Sequence, residues 1–265
     1  MINASNIEAF RSYLDPIVTQ FEQPGFIKDD PISIPHGFDD PEDQTIAALF
    51  AALLAWGRRD ILLAKLAELL QRMDFQPSRF IRSYKSTTHR TALGGFVHRT
   101  FNESDAEGLV LSLQALLYKA SLEEVFLEGY ARESSVQFGL ENLSNQLLEH
   151  VPGQPKRIRK HLARPSTGSA CKRLNMFLRW MVRTGPVDLG IWNRIDPADL
   201  LLPLDVHSGN QARNVGLLSR SSNDWKATVE LSEACKLLCP KDPAKYDFAL
   251  FGAGASGEVL RDPRN

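Results

Sequence analysis

The sequence predicts an all-α fold in which two helical lobes form a single unit. Apolar residues recur every three to four positions through most of the chain, which is the helical period. Residues that cap helices stand in front of these runs, and strand-like alternation of any length is missing from the sequence. At 265 residues the chain is long enough for one large core or for two small lobes that share a cleft.

The first half of the chain contains well-marked helix starts. Asp40 is followed by a proline at the first helical position, and the apolar run behind it continues until Gly57. A second helix is predicted over 61–73. Ser104 and Ser121 each stand three residues before a glutamate, which is the capping-box pattern, so a helix is expected to begin at each.

The second half continues the same pattern. Segments 76–100 and 151–168 are rich in Ser, Thr, Pro, Gly and basic residues, so we interpret them as connections. Residues 40–150 then form mainly one lobe. Helices are expected over about 135–150, after Thr167-Gly168, at Asp196-Pro197 as a short element, near Asp205, at Asn223-Asp224, and from Asp242-Pro243 to Gly252.

Composition excludes several classes of protein. No run of about 18 apolar residues is present, so no membrane span is expected. The amino-terminal sequence has no basic start followed by an apolar stretch, which predicts a cytoplasmic protein. Cys235 and Cys239 are spaced to share a metal, but no histidine stands near them. We therefore interpret the cysteines as core thiols and expect no metal and no cofactor.

The positive charges are concentrated in one part of the chain. The net charge is −1, yet no acidic residue occurs between Glu149 and Asp188. A solvated charged face usually mixes both signs, so this tract favours a surface that faces a polyanion. Its cations are Lys156, Arg157, Arg159, Lys160, Arg164, Lys172, Arg173, Arg179 and Arg183.

Two residues in this half can carry chemistry. Lys172 falls in the first turn of a predicted helix beside Arg173, where the positive helix end disfavours an ammonium, and a free amine can attack a sugar or carbonyl carbon. The alternative is a solvated or phosphate-facing lysine. Asp205 is expected as a helix cap, and an ionised carboxylate there can also take a proton from an amine. His207 stands two positions after it.

Two further segments suggest contacts with nucleic acid. The loop containing Gly168 and Ser169 leads into a helix start, where backbone amides bind phosphate readily, although many helices begin in this way. Trp56 stands beside Arg58 and Arg59 at the end of a predicted helix. A tryptophan there can stack on a base while the arginines hold a backbone, and the alternative is a tryptophan in the core.

Taken together, these motifs resemble a known superfamily. The helix-start lysine at 172, the sequence Leu-Asp-Val-His at 204–207 and Arg-x-x-Gly-Leu at 213–217 resemble the helix-hairpin-helix DNA glycosylases, most of all the archaeal 8-oxoguanine branch. The stretches NMFLRWMVR, PLDVH and YDFALFG are also similar to an uncharacterised bacterial family, which we interpret as a distant glycosylase relative. The chain departs from the superfamily pattern at 208–211 and in its hairpin, Pro165-Ser-Thr-Gly168.

The resemblance implies a specific activity. Residues 151–255 would hold a helix-hairpin-helix-like element at a central cleft, and the protein would be a monomeric DNA glycosylase with AP lyase activity, with 8-oxoguanine as a candidate base. It would act on duplex DNA containing a damaged or abasic nucleotide. Lys172 would be the nucleophile and Asp205 its activator. DNA would be held by Trp56, Arg58, Arg59, Lys156, Arg157, Arg159, Gly168, Ser169, Arg173 and His207.

Two alternatives stay open at this point. The departures at 208–211 and in the hairpin favour a non-catalytic DNA- or RNA-binding protein that keeps the glycosylase fold. A helical enzyme acting on a small phosphorylated substrate would use the same lysine and aspartate without the basic tract.

Overall fold

The computed structural model describes residue 2, residues 5–151 and residues 155–264, with the side chains of Thr88, Arg90, Pro155 and Lys156 outside the description. The described chain is mostly helical, as predicted. It divides into two compact units. We call Ile27–Arg164 the central unit, and Met1–Phe26 together with Pro165–Asn265 the terminal unit. Within the described ranges, no helix is long and apolar enough to cross a membrane.

The central unit is built around a buried helix. Every residue of that helix from Thr45 to Leu54 is buried, because it packs against neighbouring helices of the same unit. These elements follow α1 (Ile7–Phe21) of the terminal unit. In chain order they are α2 (Pro41–Leu54), α3 (Arg59–Gln71), α4 (Pro77–Ser83), α5 (Ser86–Leu93), β1 (Val97–His98), β2 (Phe101–Asn102), α6 (Glu103–Leu117), α7 (Leu122–Tyr130), α8 (Val136–Glu149) and α9 (Pro155–Ile158). The strands β1 and β2 pair antiparallel.

Local caps explain where several of these helices begin. Asp40 accepts hydrogen bonds from the amides of Glu42 and Asp43 at 2.9 and 3.0 Å, and Ser121 forms the predicted capping box with Glu124. The predicted start of α6 at Ser104 is wrong. Asn102 caps this helix, because the end of β2 places its side chain in front of the first-turn amides.

The interpretation of 76–100 as a connection is also wrong. This segment holds α4, α5 and β1. Its helices are short, at seven and eight residues, so they offer few repeats of the apolar pattern by which a helix is recognised. The segment 151–168 likewise contains α9 and a short 3-10 helix, Pro165–Thr167.

The terminal unit packs its helices around the last one. These helices are α1 (Ile7–Phe21), α10 (Lys172–Val182), α11 (Val206–Asn214), α12 (Trp225–Leu238) and α13 (Tyr246–Ser256). Helix α13 contacts both α1 and α11, and its residues Tyr246, Phe248 and Leu250 are buried. Helix α1 was not predicted, because it buries only one residue per turn, Phe10, Leu14 and Val18.

The last helix differs from its predicted bounds. Asp242-Pro243 opens a 3-10 turn, Pro243–Lys245, and α13 continues past Gly252 to Ser256. Gly252 lies within the helix, and the ring of Phe21 packs against it where a Cβ atom would collide. The helix ends instead at Gly257, whose φ of +84° is the left-handed conformation that terminates many helices.

Candidate active site

Two helix starts of the terminal unit meet at a lysine–aspartate pair. Cys171 adopts a left-handed backbone conformation with φ 49°, so α10 begins at Lys172. Helix α11 begins behind its cap Asp205. The Lys172 Nζ atom lies 2.9 Å from Asp205 Oδ2, and the two side chains are 31% and 13% exposed. The lysine thus remains accessible while its amine donates to a mostly buried carboxylate.

Asp205 combines the two functions that its sequence context suggested, helix cap and partner of an amine. Its Oδ1 accepts the Ser208 amide at 2.9 Å, and the Ser208 hydroxyl accepts the Asp205 amide at 2.9 Å. Burial disfavours the ionised carboxylate and by itself would raise the pKa of Asp205. The charge and hydrogen bond of Lys172, together with the Ser208 amide, nevertheless hold the pKa of this carboxyl below its usual range. Asp205 is therefore ionised at neutral pH.

The departures at 208–211 have a structural explanation. Ser208 completes the capping box with Asp205. Gln211 is buried, and its side chain donates to the Glu258 carbonyl at 2.5 Å and accepts the Leu260 amide at 2.8 Å. These residues therefore hold α11 and the chain after α13 in place.

Helix α13 forms the third side of the site. Lys172 Nζ lies 5.9 Å from the centre of the Phe251 ring. His207 is exposed, and its Nδ1 lies 3.1 Å from the Gly254 carbonyl oxygen. A Cβ atom at Gly254 would lie 2.9 Å from the His207 Cβ, so glycine permits the close approach of α11 to α13.

A second carboxylate of the terminal unit is buried. Asp247 is 3% exposed, and one of its oxygens accepts a hydrogen bond from Arg179. Burial raises the pKa of Asp247 to about 6 against the charge of Arg179, and the charge of Asp205 adds to the rise. The surroundings of Asp205 and Asp247 therefore shift their pKa values in opposite directions, and Asp247 keeps a proton to a higher pH than Asp205 does.

Arg179 links Asp247 to a series of buried ion pairs. Arg179 Nε lies 3.2 Å from Asp188, and Arg183 binds Asp188 at 2.5 Å, Asp242 at 2.8 Å and Glu22 at 2.9 Å. Burial disfavours the charged guanidinium and by itself would lower the pKa of Arg183. Its bonds to Asp242 and the charges of Asp188, Asp242 and Glu22 still hold the pKa of this guanidinium above its ordinary value.

The prediction that the cations of the acid-free tract face a polyanion is therefore wrong for two of them. Arg179 and Arg183 are each 3% exposed. Their acidic partners stand outside the interval 150–187, at its end or in distant segments, so the sequence of the tract alone did not reveal them.

The other expected DNA contacts of the terminal unit lie close to the start of α10. Arg173 is half-buried, and burial lowers the pKa of its guanidinium. Gly168 has φ +78° and donates its amide to the Pro165 carbonyl at 2.9 Å. The Ser169 hydroxyl accepts the Cys171 amide at 3.2 Å. The amides of Gly168 and Cys171 thus hold the loop itself together.

Trp56 and its neighbours belong to the central unit. Trp56 is half-buried and stacks on His161, with ring centres 5.4 Å apart and planes inclined by 16°. Arg58 is exposed and binds Asp60 at 2.6 Å, and Arg59 is the exposed first residue of α3. Trp56 therefore packs within its own unit through one ring face.

The remaining basic candidates also lie in the central unit. Arg157 binds the buried Asp105 at 2.9 Å and donates to the Thr100 carbonyl at 3.2 Å. Arg159 is exposed. The side chain of Lys156 lies outside the described residues. No group of three or more His, Cys, Asp or Glu is placed to hold a metal ion in the part of the chain that the structure describes.

Asp247 and Asp188 were not singled out from the sequence. A signal existed in their surroundings: Asp247 is the only acid in the apolar stretch Tyr246–Gly252, and Arg179 and Arg183 are spaced i, i+4 in an apolar helix. Charges at positions where the helical period predicts burial require partners of opposite sign.

The fold and the site define a helical protein with an amine–carboxylate pair on two helix starts and a buried ion chain behind it. The chain belongs to the family described as "Protein of unknown function (DUF2400)", whose model matches residues 30–256. No helix-hairpin-helix glycosylase family matches, so the expected membership in that superfamily is wrong, whereas the expected uncharacterised family is supported. No curated protein and no solved structure matches the chain.

Proposed function

We propose that this protein is a DNA base-excision enzyme, a glycosylase with AP lyase activity, in which Lys172 is the nucleophile and Asp205 its activator. The observation that carries the proposal is the 2.9 Å contact between Lys172 Nζ and Asp205 Oδ2, with the lysine accessible. The substrate is DNA that contains a damaged or abasic nucleotide, and oxidised guanine is the first base to test. In this proposal the enzyme acts as a cytoplasmic monomer.

The pair suits attack on a sugar carbon. Asp205 takes one proton from the Lys172 ammonium, and the free amine attacks C1′. A carbon–nitrogen bond to the lysine forms, the bond from C1′ to the base breaks, and the base leaves with the proton held by Asp205. Ring opening moves a proton from the lysine nitrogen to O4′ and leaves a protonated imine. A C2′ proton is then transferred to water, and the electron pair of the broken bond expels the 3′ phosphate.

The surroundings of the pair support a phosphate-bearing substrate. Both residues stand at helix amino termini, where partial positive charge and first-turn amides favour anions. Arg173 directly follows Lys172, and the exposed His207 lies two positions after Asp205. We assign backbone contacts to these two side chains.

Borohydride trapping on an abasic duplex tests the proposal. Wild-type protein is expected to form a covalent adduct with the DNA, and Lys172→Gln to form none. Asp205→Asn should slow the trapping by about 100-fold or more, because proton transfer by a positioned side chain contributes on that order. Lys236→Gln is the matched control, since Lys236 also pairs with an aspartate, Asp199 at 3.4 Å, in the same unit. It should trap like the wild type.

The outcomes separate the alternatives. Salt-sensitive binding to DNA or RNA without an adduct would exclude the lyase and favour a non-catalytic nucleic-acid-binding protein. Absence of both binding and adduct at low salt would refute the nucleic-acid substrate itself.

A further inference from the structure

The segment that leads into α12 contacts both of the helix starts that carry the lysine–aspartate pair. Lys172 and Asp205 stand far apart in the chain, so their 2.9 Å contact requires that other residues hold the starts of α10 and α11 beside each other. Residues Asn223–Trp225, at the start of α12, bind the backbone before each of these helices.

The first set of contacts fixes the loop before α10. The Trp225 amide donates to the Gly168 carbonyl at 3.0 Å. Asp224 forms an isolated antiparallel bridge with Ser169. Both contacts join backbone to backbone within a few residues of Lys172, so the start of α12 determines where α10 begins.

The second set of contacts fixes the cap of α11 through Asn223. Its Nδ2 donates to the Asp205 carbonyl at 2.8 Å, and its Oδ1 accepts a hydrogen bond from Arg213 Nη2 at 2.6 Å. Arg213 also donates through Nε to the Arg220 carbonyl at 2.7 Å. The half-buried Asn223 side chain thus uses both ends of its amide, and it holds Asp205 by the main chain while Lys172 contacts the carboxylate.

Gly209 provides the space that Asn223 occupies. It lies one turn after Asp205, and a Cβ atom on it would be 2.7 Å from Asn223 Oδ1. The Gly209 amide donates to the same Asp205 carbonyl that Asn223 binds, at 2.9 Å. Glycine inside a helix is less favourable than alanine, so the close approach of Asn223 accounts for a glycine at this position.

We propose that Asn223 is a positioning residue of the active site, which ties the main chain of Asp205 to the start of α12 so that the carboxylate meets Lys172. The inference rests on the proposed function, since it concerns the same pair. Asn223 acts through Asp205 and does not itself touch the substrate. Its hydrogen bond to the carbonyl fixes the direction in which the Asp205 side chain leaves the backbone.

The rate of borohydride trapping on an abasic duplex tests the proposal. Asn223→Ala should slow trapping by about 10- to 100-fold, because a misplacement of about 1 Å can cost that much in rate. The double variant Asp205→Asn/Asn223→Ala should trap no more slowly than Asp205→Asn, since Asn223 then has no activating carboxylate to position. A further slowing in the double variant would show general damage and overturn the proposal.

Asn142→Ala is the matched control. Asn142 is also half-buried, and its Nδ2 donates to the Val125 carbonyl at 2.7 Å within the central unit. This variant loses the same kind of hydrogen bond and should trap within about twofold of the wild-type rate. If it slowed trapping as much as Asn223→Ala does, the loss of rate would reflect lowered stability and the proposal would fail.

A measurement without DNA separates this inference from the proposed function. Titration of the Asp205 side-chain carbon is followed by NMR, with Asp205→Asn to assign the signal. Contact with Lys172 helps to hold the pKa of the Asp205 carboxyl below its usual range. Loosening that contact in Asn223→Ala should raise this pKa toward the ordinary aspartate value, and an unchanged pKa overturns the inference.

The two assays fail in different ways. A raised pKa in Asn223→Ala, with no DNA adduct in the wild type, would refute the proposed chemistry and preserve the positioning function. An adduct in the wild type, with an unchanged pKa or an unchanged trapping rate in Asn223→Ala, would do the opposite.

Gly209→Ala decides the matter if Asn223→Ala does not fold. Alanine favours the helix and leaves every hydrogen-bonding side chain in place, but its Cβ displaces Asn223 from the Asp205 carbonyl. The variant should slow trapping and raise the pKa of Asp205 in the same direction as Asn223→Ala. Wild-type values in both measurements would overturn the proposal.

Discussion

Replacing Arg183 by alanine tests whether the end of the basic tract is structural. The guanidinium donates to both oxygens of Asp242 at 2.8 Å, to Asp188 at 2.5 Å and to Glu22 at 2.9 Å. In Arg183→Ala, Asp242 and Glu22 can be hydrated again, since they are 29% and 16% exposed. Asp188 cannot, because its side chain is 0% exposed, but it keeps its bond to Arg179.

The expected loss of stability follows from that difference. Removing one partner of a buried ion pair costs about 3–5 kcal/mol, and the remaining bond of Asp188 to Arg179 places the effect near the lower end, about 3 kcal/mol. This is a large part of the ~5–15 kcal/mol that typically separates folded from unfolded domains. Substitution of an arginine that faces solvent would change the free energy of unfolding far less.

Urea unfolding followed by tryptophan fluorescence measures this change. Three of the four tryptophans, Trp180, Trp192 and Trp225, belong to the terminal unit, so the signal reports mainly on the unit that contains Arg183. Arg58→Ala provides the control, because its pair with Asp60 is exposed, and no change in the midpoint is expected. A loss below about 1 kcal/mol for Arg183→Ala, accompanied by weaker DNA binding, would refute the structural assignment.

Three further predictions concern stability and reactivity. The pKa of Asp205 is lowered in the folded protein, so the ionised carboxylate stabilises the fold above the ordinary aspartate pKa. This contribution disappears as the pH falls through the pKa of Asp205 in the folded state. The difference in free energy of unfolding between wild type and Asp205→Asn should therefore vanish in strongly acidic solution. Gly129→Ala should destabilise by about 1–3 kcal/mol in urea, because its Cβ would collide with a backbone carbonyl of α8, whereas Gly25→Ala meets no neighbour and should be neutral. Burial raises the pKa of the Cys235 thiol, so iodoacetamide should modify the half-buried Cys239 first in the folded protein, and faster labelling of Cys235 would contradict this.

Local chemistry in the sequence was sufficient to locate several helix starts. Asp40, Ser121 and Asp205 were identified as helix starts because a cap and the amides that it accepts lie within three residues of each other. Lys172 was expected at a helix start for the same kind of reason. Short helices such as α4 and α5, and the narrow apolar stripe of α1, did not carry enough repeats to be recognised.

The resemblance to DNA glycosylases depended on a few residues at a suggestive spacing, and the family to which the chain belongs is another one. The proposed chemistry therefore depends on the contact between Lys172 and Asp205 itself. Spacing along the chain indicated that two residues with compatible chemistry were present, and only the tertiary structure determines the distance between them.

The sequence by itself determined the helical class, the main helix starts and the chemical character of Lys172 and Asp205, because periodicity and capping are properties of neighbouring residues. Tertiary structure decided which charges are buried and with what partners. Arg179 meets Asp247 across 68 positions of the chain, and Arg183 meets Glu22 across 161. Such pairs have no period or spacing in the sequence, since the packing of distant helices alone brings the opposite charges together and removes them from water.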